Sequence, residues 1–325
     1  MRRRLGLASL GVLALFALPL AVAAQSARVY RIGVVLQGGP YASAVDGLRE
    51  GLREQGLEEG KQFVFHVRDT KGDPSAVEAA ARSLEAEQVD VIVAVSTSVS
   101  LAVKRATRAV PIVFYAGTDP VTIGLVESFR KPGGRLTGVH FQGGGLTAKR
   151  LELLKELVPK LRRVVVFYRP DSPVAQQSVQ LARDGGRQLK VELVERPVAT
   201  AEDLRASVRA LRIGEADALL YVADAMVISQ SPLIIETALT KRLPTMFSER
   251  SSVVSGALAA YGESYAAIGR LSAKTVQRIL HGANPGDLPV EQADRFHLVI
   301  NLRTAKAIGL AIPQSVRARA DEVIE

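Results

Sequence analysis

Short β-branched runs alternate with longer stretches of helical period along almost the whole chain, and the alternation occurs twice in series. Tyr30 to Leu36 reads as a buried strand, after which Val45, Leu48 and Leu52 recur at helical spacing until Gly56 ends the helix. Further strands are expected at 63–67, 89–95, 111–115 and 137–141. Between them come a helix entered with Asp73 as N-cap and Pro74 at its first position, and another over 98–109. Strand, helix and strand at this spacing dictate a parallel, doubly wound sheet. After the glycines Gly143, Gly144 and Gly145 the pattern restarts, with strands at 163–168, 191–194, 218–222 and 244–247. Helices are expected over 174–187, over Leu204, Val208 and Leu211, and over 228–240.

The tail adds a strand-like run at 257–261, a long helix at 263–281, a linker at 285–289 and a strand at 298–301. If the helix returns to the first lobe and the last strand to the second, three crossovers join the lobes. Such a hinge favours opening and closing over free tumbling. The expected fold is therefore α/β, two doubly wound parallel-sheet lobes joined by a three-crossover hinge. Lobe 1 comprises 28–142 plus 263–285, and lobe 2 comprises 143–262 plus 286–325.

The first 24 residues differ in kind. Arg2, Arg3 and Arg4 precede an apolar run from Leu5 to Leu20 and the small residues Ala21, Val22, Ala23 and Ala24, the pattern of a cleaved secretory signal. That run is shorter than the roughly 20 residues a membrane-spanning helix needs. With no cysteine in the chain, disulfides, thiol catalysis and Cys-ligated zinc are excluded, as is a lipid anchor on a cysteine at the cleavage point. The expectation is a periplasmic, unanchored monomer. Loss of the three arginines takes the formal charge from +9 to +6 (9 − 3). Acids and bases are interspersed, and no basic cluster is interleaved with aromatics, so nucleic acid is not an expected partner. About 300 residues remain, enough for two cores.

In open α/β sheets ligands bind beyond the carboxyl ends of the strands. There the first lobe offers Tyr41, which can cover a planar ligand or simply cap its helix. The run Ser96, Thr97 and Ser98 puts hydroxyls and free N–H groups at a helix start, suited to a carboxylate and equally to plain N-capping. Thr118 and Asp119 form a polar turn in which the acid can meet an ammonium or order its own backbone. The second lobe offers Arg169, Asp171 and Ser172, then Asp224, then Glu249 and Arg250. Together these outline a cleft lined from both sides.

Enzymatic motifs are lacking. His66, His140, His281 and His297 make no metal-ligand pair at helical spacing, and none has an acid partner nearby in sequence. Neither a dinucleotide fingerprint, a phosphate loop nor a nucleophile elbow is present. No metal or cofactor is expected.

Several segments stand in a recognisable order: Pro111-Ile-Val-Phe-Tyr-Ala-Gly-Thr-Asp-Pro-Val121, Gly124-Leu-Val126, Pro132-Gly-Gly134 with Thr137-Gly-Val139, and Tyr261-Gly262 with Tyr265 and Gly269. Later ones are Ile279-Leu-His-Gly282, Leu288-Pro-Val-Glu291, Asn301-Leu302, Ile308-Gly-Leu310, Ile312-Pro313 and Ala318-Arg-Ala-Asp-Glu-Val-Ile324. No single piece is specific, but the ordered set resembles the ABC-transporter substrate-binding proteins that include tryptophan- and tyrosine-binding members. The resemblance implies a periplasmic-binding-protein type I fold, a ligand held between the lobes, and an ABC permease partner with a separate ATPase subunit. It places the contacts at 96–98, Thr118-Asp119, Asp224 and Glu249-Arg250. The chain departs from the commonest family text at Val95-Ser-Thr-Ser98 and at Arg169-Pro-Asp-Ser172, so the expected ligand is a small carboxylate-bearing metabolite, an amino acid among them. A periplasmic sensor presenting its ligand to a membrane receptor, and a secreted enzyme on the same scaffold, are the alternatives.

Overall fold

The computed structural model describes residues 28–141 and 145–325. The expected signal sequence and the glycines Gly143 and Gly144 lie outside the described residues. The first half runs β1 (Tyr30–Leu36), α1 (Ala42–Glu54), β2 (Phe63–Asp69), α2 (Val77–Ala86), β3 (Val91–Val95), α3 (Thr97–Ala106), β4 (Ile112–Ala116) and β5 (Leu136–Phe141). The second runs α4 (Thr147–Leu157), β6 (Arg163–Tyr168), α5 (Pro173–Leu189), β7 (Glu192–Pro197), α6 (Ala201–Arg209), β8 (Ala218–Leu220), α7 (Ala225–Ser229), α8 (Ser231–Thr240), β9 (Thr245–Phe247), α9 (Arg250–Val254) and β10 (Ala259–Gly262). The tail adds α10 (Tyr265–Leu280), β11 (Glu291–Ala293), β12 (His297–Asn301), α11 (Leu302–Ile308), α12 (Gln314–Arg317) and β13 (Glu322–Ile324).

Two sheets result, in the orders β11-β5-β4-β3-β1-β2 and β13-β12-β10-β9-β8-β6-β7. All pairings are parallel except β10 with β12. Helices cover both faces, which is why β3 and β4 are buried at every residue and read as unbroken apolar runs. The order reverses at β1/β3 in one sheet and at β6/β8 in the other, the places where the loops part and a ligand can enter.

The chain passes between the sheets three times: after Phe141, at 263–264 and at 294–296. The third passage differs from the expected boundary. β11 pairs with β5, so the first sheet keeps the chain beyond 285, through Ala293. Three local expectations also change. The Asp73 carboxylate closes a turn on Ser75 instead of capping a helix, and α2 starts at Val77 with no side-chain cap. The helix expected at 228–240 is two, α7 and α8. Arg250 to Val254 is a short helix where only a polar loop was expected.

The lobes are closed on each other. One apolar cluster runs from the first sheet through Tyr41, Tyr265, Tyr221 and Met226 into the second. At the cleft rim Gly39, with φ 59°, lies so near α7 that a side chain there would come within 2.7 Å of the Ile228 carbonyl oxygen.

Candidate ligand cleft

Between the closed lobes lies a narrow cleft with about 40 Å³ of free space, open to solvent at its mouth. From the first lobe, β1 ends in a single 3-10 turn that delivers Tyr41, 5 % exposed, with its ring 4.8 Å from that of Tyr265. Tyr265 is the first residue of α10 and stands edge-on to Phe141, the last residue of β5, at 6.0 Å. Tyr221, just past β8, completes an aromatic wall. Burial raises the hydroxyl pKa of Tyr41 and Tyr221 well above the ordinary value and that of Tyr265 to about 12, so all three stay neutral donors.

The hydroxyl run after β3 divides its work. Ser96 Oγ caps α3 by accepting the Val99 N–H at 3.4 Å, and Thr97 Oγ1 accepts the Gly117 N–H at 2.9 Å, tying the β3 and β4 loops together. Ser98, half-buried, faces the cleft beside them. Ser96 has φ 104° and ψ 159°, a region that only glycine occupies without strain. Ser96→Gly is therefore expected to raise the unfolding free energy by about 1 kcal/mol, since glycine is itself a tolerable cap and relief of the strain outweighs the added freedom of the unfolded chain. Urea denaturation reads this directly; a loss of stability would show that the serine is unstrained.

Across the cleft, Asp224 is 3 % exposed and caps α7. Its Oδ1 accepts the N–H groups of Met226 (2.9 Å) and Val227 (3.2 Å), and its Oδ2 accepts the Arg169 N–H at 3.0 Å. The Arg169 guanidinium adds an ion pair at 3.8 Å. Burial nevertheless raises the Asp224 pKa, with Arg169 and the three N–H groups opposing. Ser172 caps α5 and lines the same cleft.

Tyr41, Ser96, Thr97, Ser98, Ser172 and Asp224 thus share one cavity. The remaining sequence-selected residues lie beside or outside it. Asp119 is exposed and bonds its own turn through the Val121 and Thr122 N–H groups, with Thr118 alongside. Asp171 is largely exposed next to Arg169. Glu249 is buried as the cap of α9, and Arg250 pairs with Glu322 on the surface at 2.6 Å.

Other lining residues were not picked out from sequence, chief among them Arg150, Glu263, Tyr265, Tyr221 and Phe141. Arg150 is fully buried; its Nε donates to the Tyr261 carbonyl at 2.6 Å, and the charge of Glu263 opposes the lowering of its pKa by burial. A signal for it existed: Arg150, Leu154 and Leu157 share a buried helical face, where a lone charge is out of place. Glu263 follows β10 and so obeys the strand-end rule too.

A hinged pair of doubly wound lobes closed over a polar and aromatic cleft defines a ligand clamp. The model of the ABC transporter substrate-binding protein family matches residues 31–324, and the chain belongs to that family. It is 30 % identical over 267 residues to the tyrosine-binding protein of Clostridioides difficile, covering 82 % of this chain and 76 % of that one. Among solved structures it superposes on an ABC domain from Streptococcus pneumoniae in complex with L-Trp with a TM-score of 0.80, at 25 % identity, covering 91 % of this chain and all of that one. On the ligand-free, open structure of a Clostridium difficile substrate-binding protein with adhesive properties the TM-score is 0.58, at the same 25 % identity, covering 91 % of this chain and 99 % of that one. Equal identity with unequal superposition accords with the closed arrangement of the lobes. Among the described residues no helix is long and apolar enough to cross a membrane.

Proposed function

We propose that the protein captures an amino acid as its zwitterion between the lobes, outside the cytoplasmic membrane, and presents the closed form to an ABC permease driven by a separate ATPase subunit. In this reading the first 24 residues direct export and are removed, no lipid anchor is attached, and the ligand leaves chemically unchanged. The observation that carries it is the pair of opposed poles in one cleft. Ser98 and the N-terminal turn of α3 suit a carboxylate on one lobe, and the buried Asp224 suits an ammonium on the other. The wall carries Asp224 and Glu263 against Arg150, with Arg169 paired to Asp224 from outside it, so groups of both signs face a ligand with separated charges. The aromatic wall supplies the apolar contact that a side chain requires.

A thermal-shift screen of the purified protein against free amino acids, the corresponding acids lacking the amine, and the amines lacking the acid tests this. A ligand at 100 times its Kd adds about 2.7 kcal/mol to the folded state, a shift of about 5 °C or more for a chain of this size. Shifts are expected from one class of amino acids and from neither truncated set. A shift from the simple acids alone would remove Asp224 as the ammonium site.

A further inference from the structure

The cavity does not end at Ser98 and Ser172. A second chamber, with about 280 Å³ of free space and open to solvent on one side, shares those residues and Val174 with the cleft and likewise lies between the lobes, with Gln37 and Arg105 on one side and Arg169 on the other. Gln37, at the carboxyl end of β1, is 2 % exposed and lines this chamber. Arg169 Nε is buried without a hydrogen bond, its nearest carboxylates, Asp171 and Asp224, standing at 3.8 Å. A buried donor left unmade costs about 1–3 kcal/mol, a cost that a ligand atom placed between the two groups would offset.

We propose that this chamber receives the far end of the ligand, and that the ligand's side chain ends in a neutral oxygen, a phenol or a carboxamide, held by Arg169 Nε–H and the Gln37 amide. The proposal rests on the amino-acid reading of the cleft. A neutral group is favoured over a carboxylate because Asp224 and Asp171 already offset the Arg169 charge, while Arg105 is paired with Glu78 at 3.2 Å. Arg169 and Gln37 thereby set specificity, whereas the head group is held elsewhere.

Titration calorimetry of the purified protein with matched probes tests it: L-tyrosine against L-phenylalanine, L-glutamine against L-norleucine, and L-glutamate as the charged counterpart of L-glutamine. In at least one pair the oxygen-bearing member is expected to bind about 10- to 100-fold more tightly. That ratio is expected to fall to near one in both Gln37→Leu and Arg169→Lys, with thermal unfolding showing that each variant folds. Equal affinities within both pairs for the unaltered protein, or a preference that survives in both variants, overturn the proposal. L-glutamate binding more tightly than L-glutamine overturns the neutral chamber. Absence of binding by all five probes overturns the amino-acid reading itself and this inference with it.

Discussion

Asp224→Ala is expected to weaken amino-acid binding by at least about 100-fold and to cost about 3 kcal/mol of stability. Three backbone N–H groups and the Arg169 guanidinium converge on this carboxylate, so truncation uncaps α7 and leaves a largely buried arginine with only the exposed Asp171 as a counter-charge. Both losses therefore follow from one side chain, and Asp224→Asn separates them. Asparagine keeps a capping oxygen for α7 but no charge for an ammonium, so most of the stability is expected to remain while the affinity is still lost. Wild-type affinity in Asp224→Asn, measured by titration calorimetry, would show that the carboxylate is a cap and nothing more. Acid gives a second test with a defined sign. Burial raises the pKa of Asp224 in the free protein, and a bound ammonium favours its charged form. Affinity is thus expected to be flat at higher pH and to fall as pH drops through that raised value, sooner than an ordinary aspartate would allow. The free protein's own stability moves oppositely at this group: the raised folded pKa contributes stability that is full below the unfolded value and is lost as pH rises through the folded one.

The lobes were legible because parallel strands buried on both faces must be apolar at every position, as 91–95 and 112–116 are. What escaped obeys a different rule. β11 is three residues long, polar, and paired on one side only, at the edge of the sheet, so it carries no apolar signature. α9 is a five-residue helix capped by Glu249, too short to show a helical period. The same contrast holds in the cleft. Strand ends led to Ser96, Ser98, Ser172 and Asp224, because topology alone brings carboxyl ends together. Phe141, Tyr221 and Tyr265 are apolar-bodied residues beside strand or helix ends, and whether such a ring faces a core or a ligand is decided by how the lobes meet. No periodicity encodes that. Arg150 shows the intermediate case, detectable as a charge on an apolar face yet assignable to the cleft only once the second passage of chain is placed beside it.

That second passage makes Gly269→Ala the most informative change to the scaffold. In an ordinary helix interior the substitution stabilises by roughly 0.5–1 kcal/mol, because glycine loses more freedom on folding than alanine. Here α10 crosses α1 so closely that the added Cβ would lie 2.0 Å from the Ala44 carbonyl oxygen and 2.8 Å from the Leu48 nitrogen. Both are backbone atoms of a buried helix face and cannot rotate aside. Contacts between heavy atoms settle near 3.5 Å, so the helices must part by roughly 1 Å or more. The expected outcome is an inverted sign, a destabilisation of about 2–3 kcal/mol in urea unfolding. The consequence reaches the cleft, because Tyr265 opens α10 against Tyr41 and Glu263 lies two residues earlier at the wall. Displacing this end of the helix moves the aromatic wall relative to Ser98 and Asp224, and about a tenfold loss of affinity is expected, from the side-chain ordering that a poorly shaped cleft no longer offsets. Stabilisation by Gly269→Ala would mean that α10 stands off from α1. An unchanged affinity in a destabilised variant would mean instead that the wall is set by the crossovers alone and not by the helix that follows them.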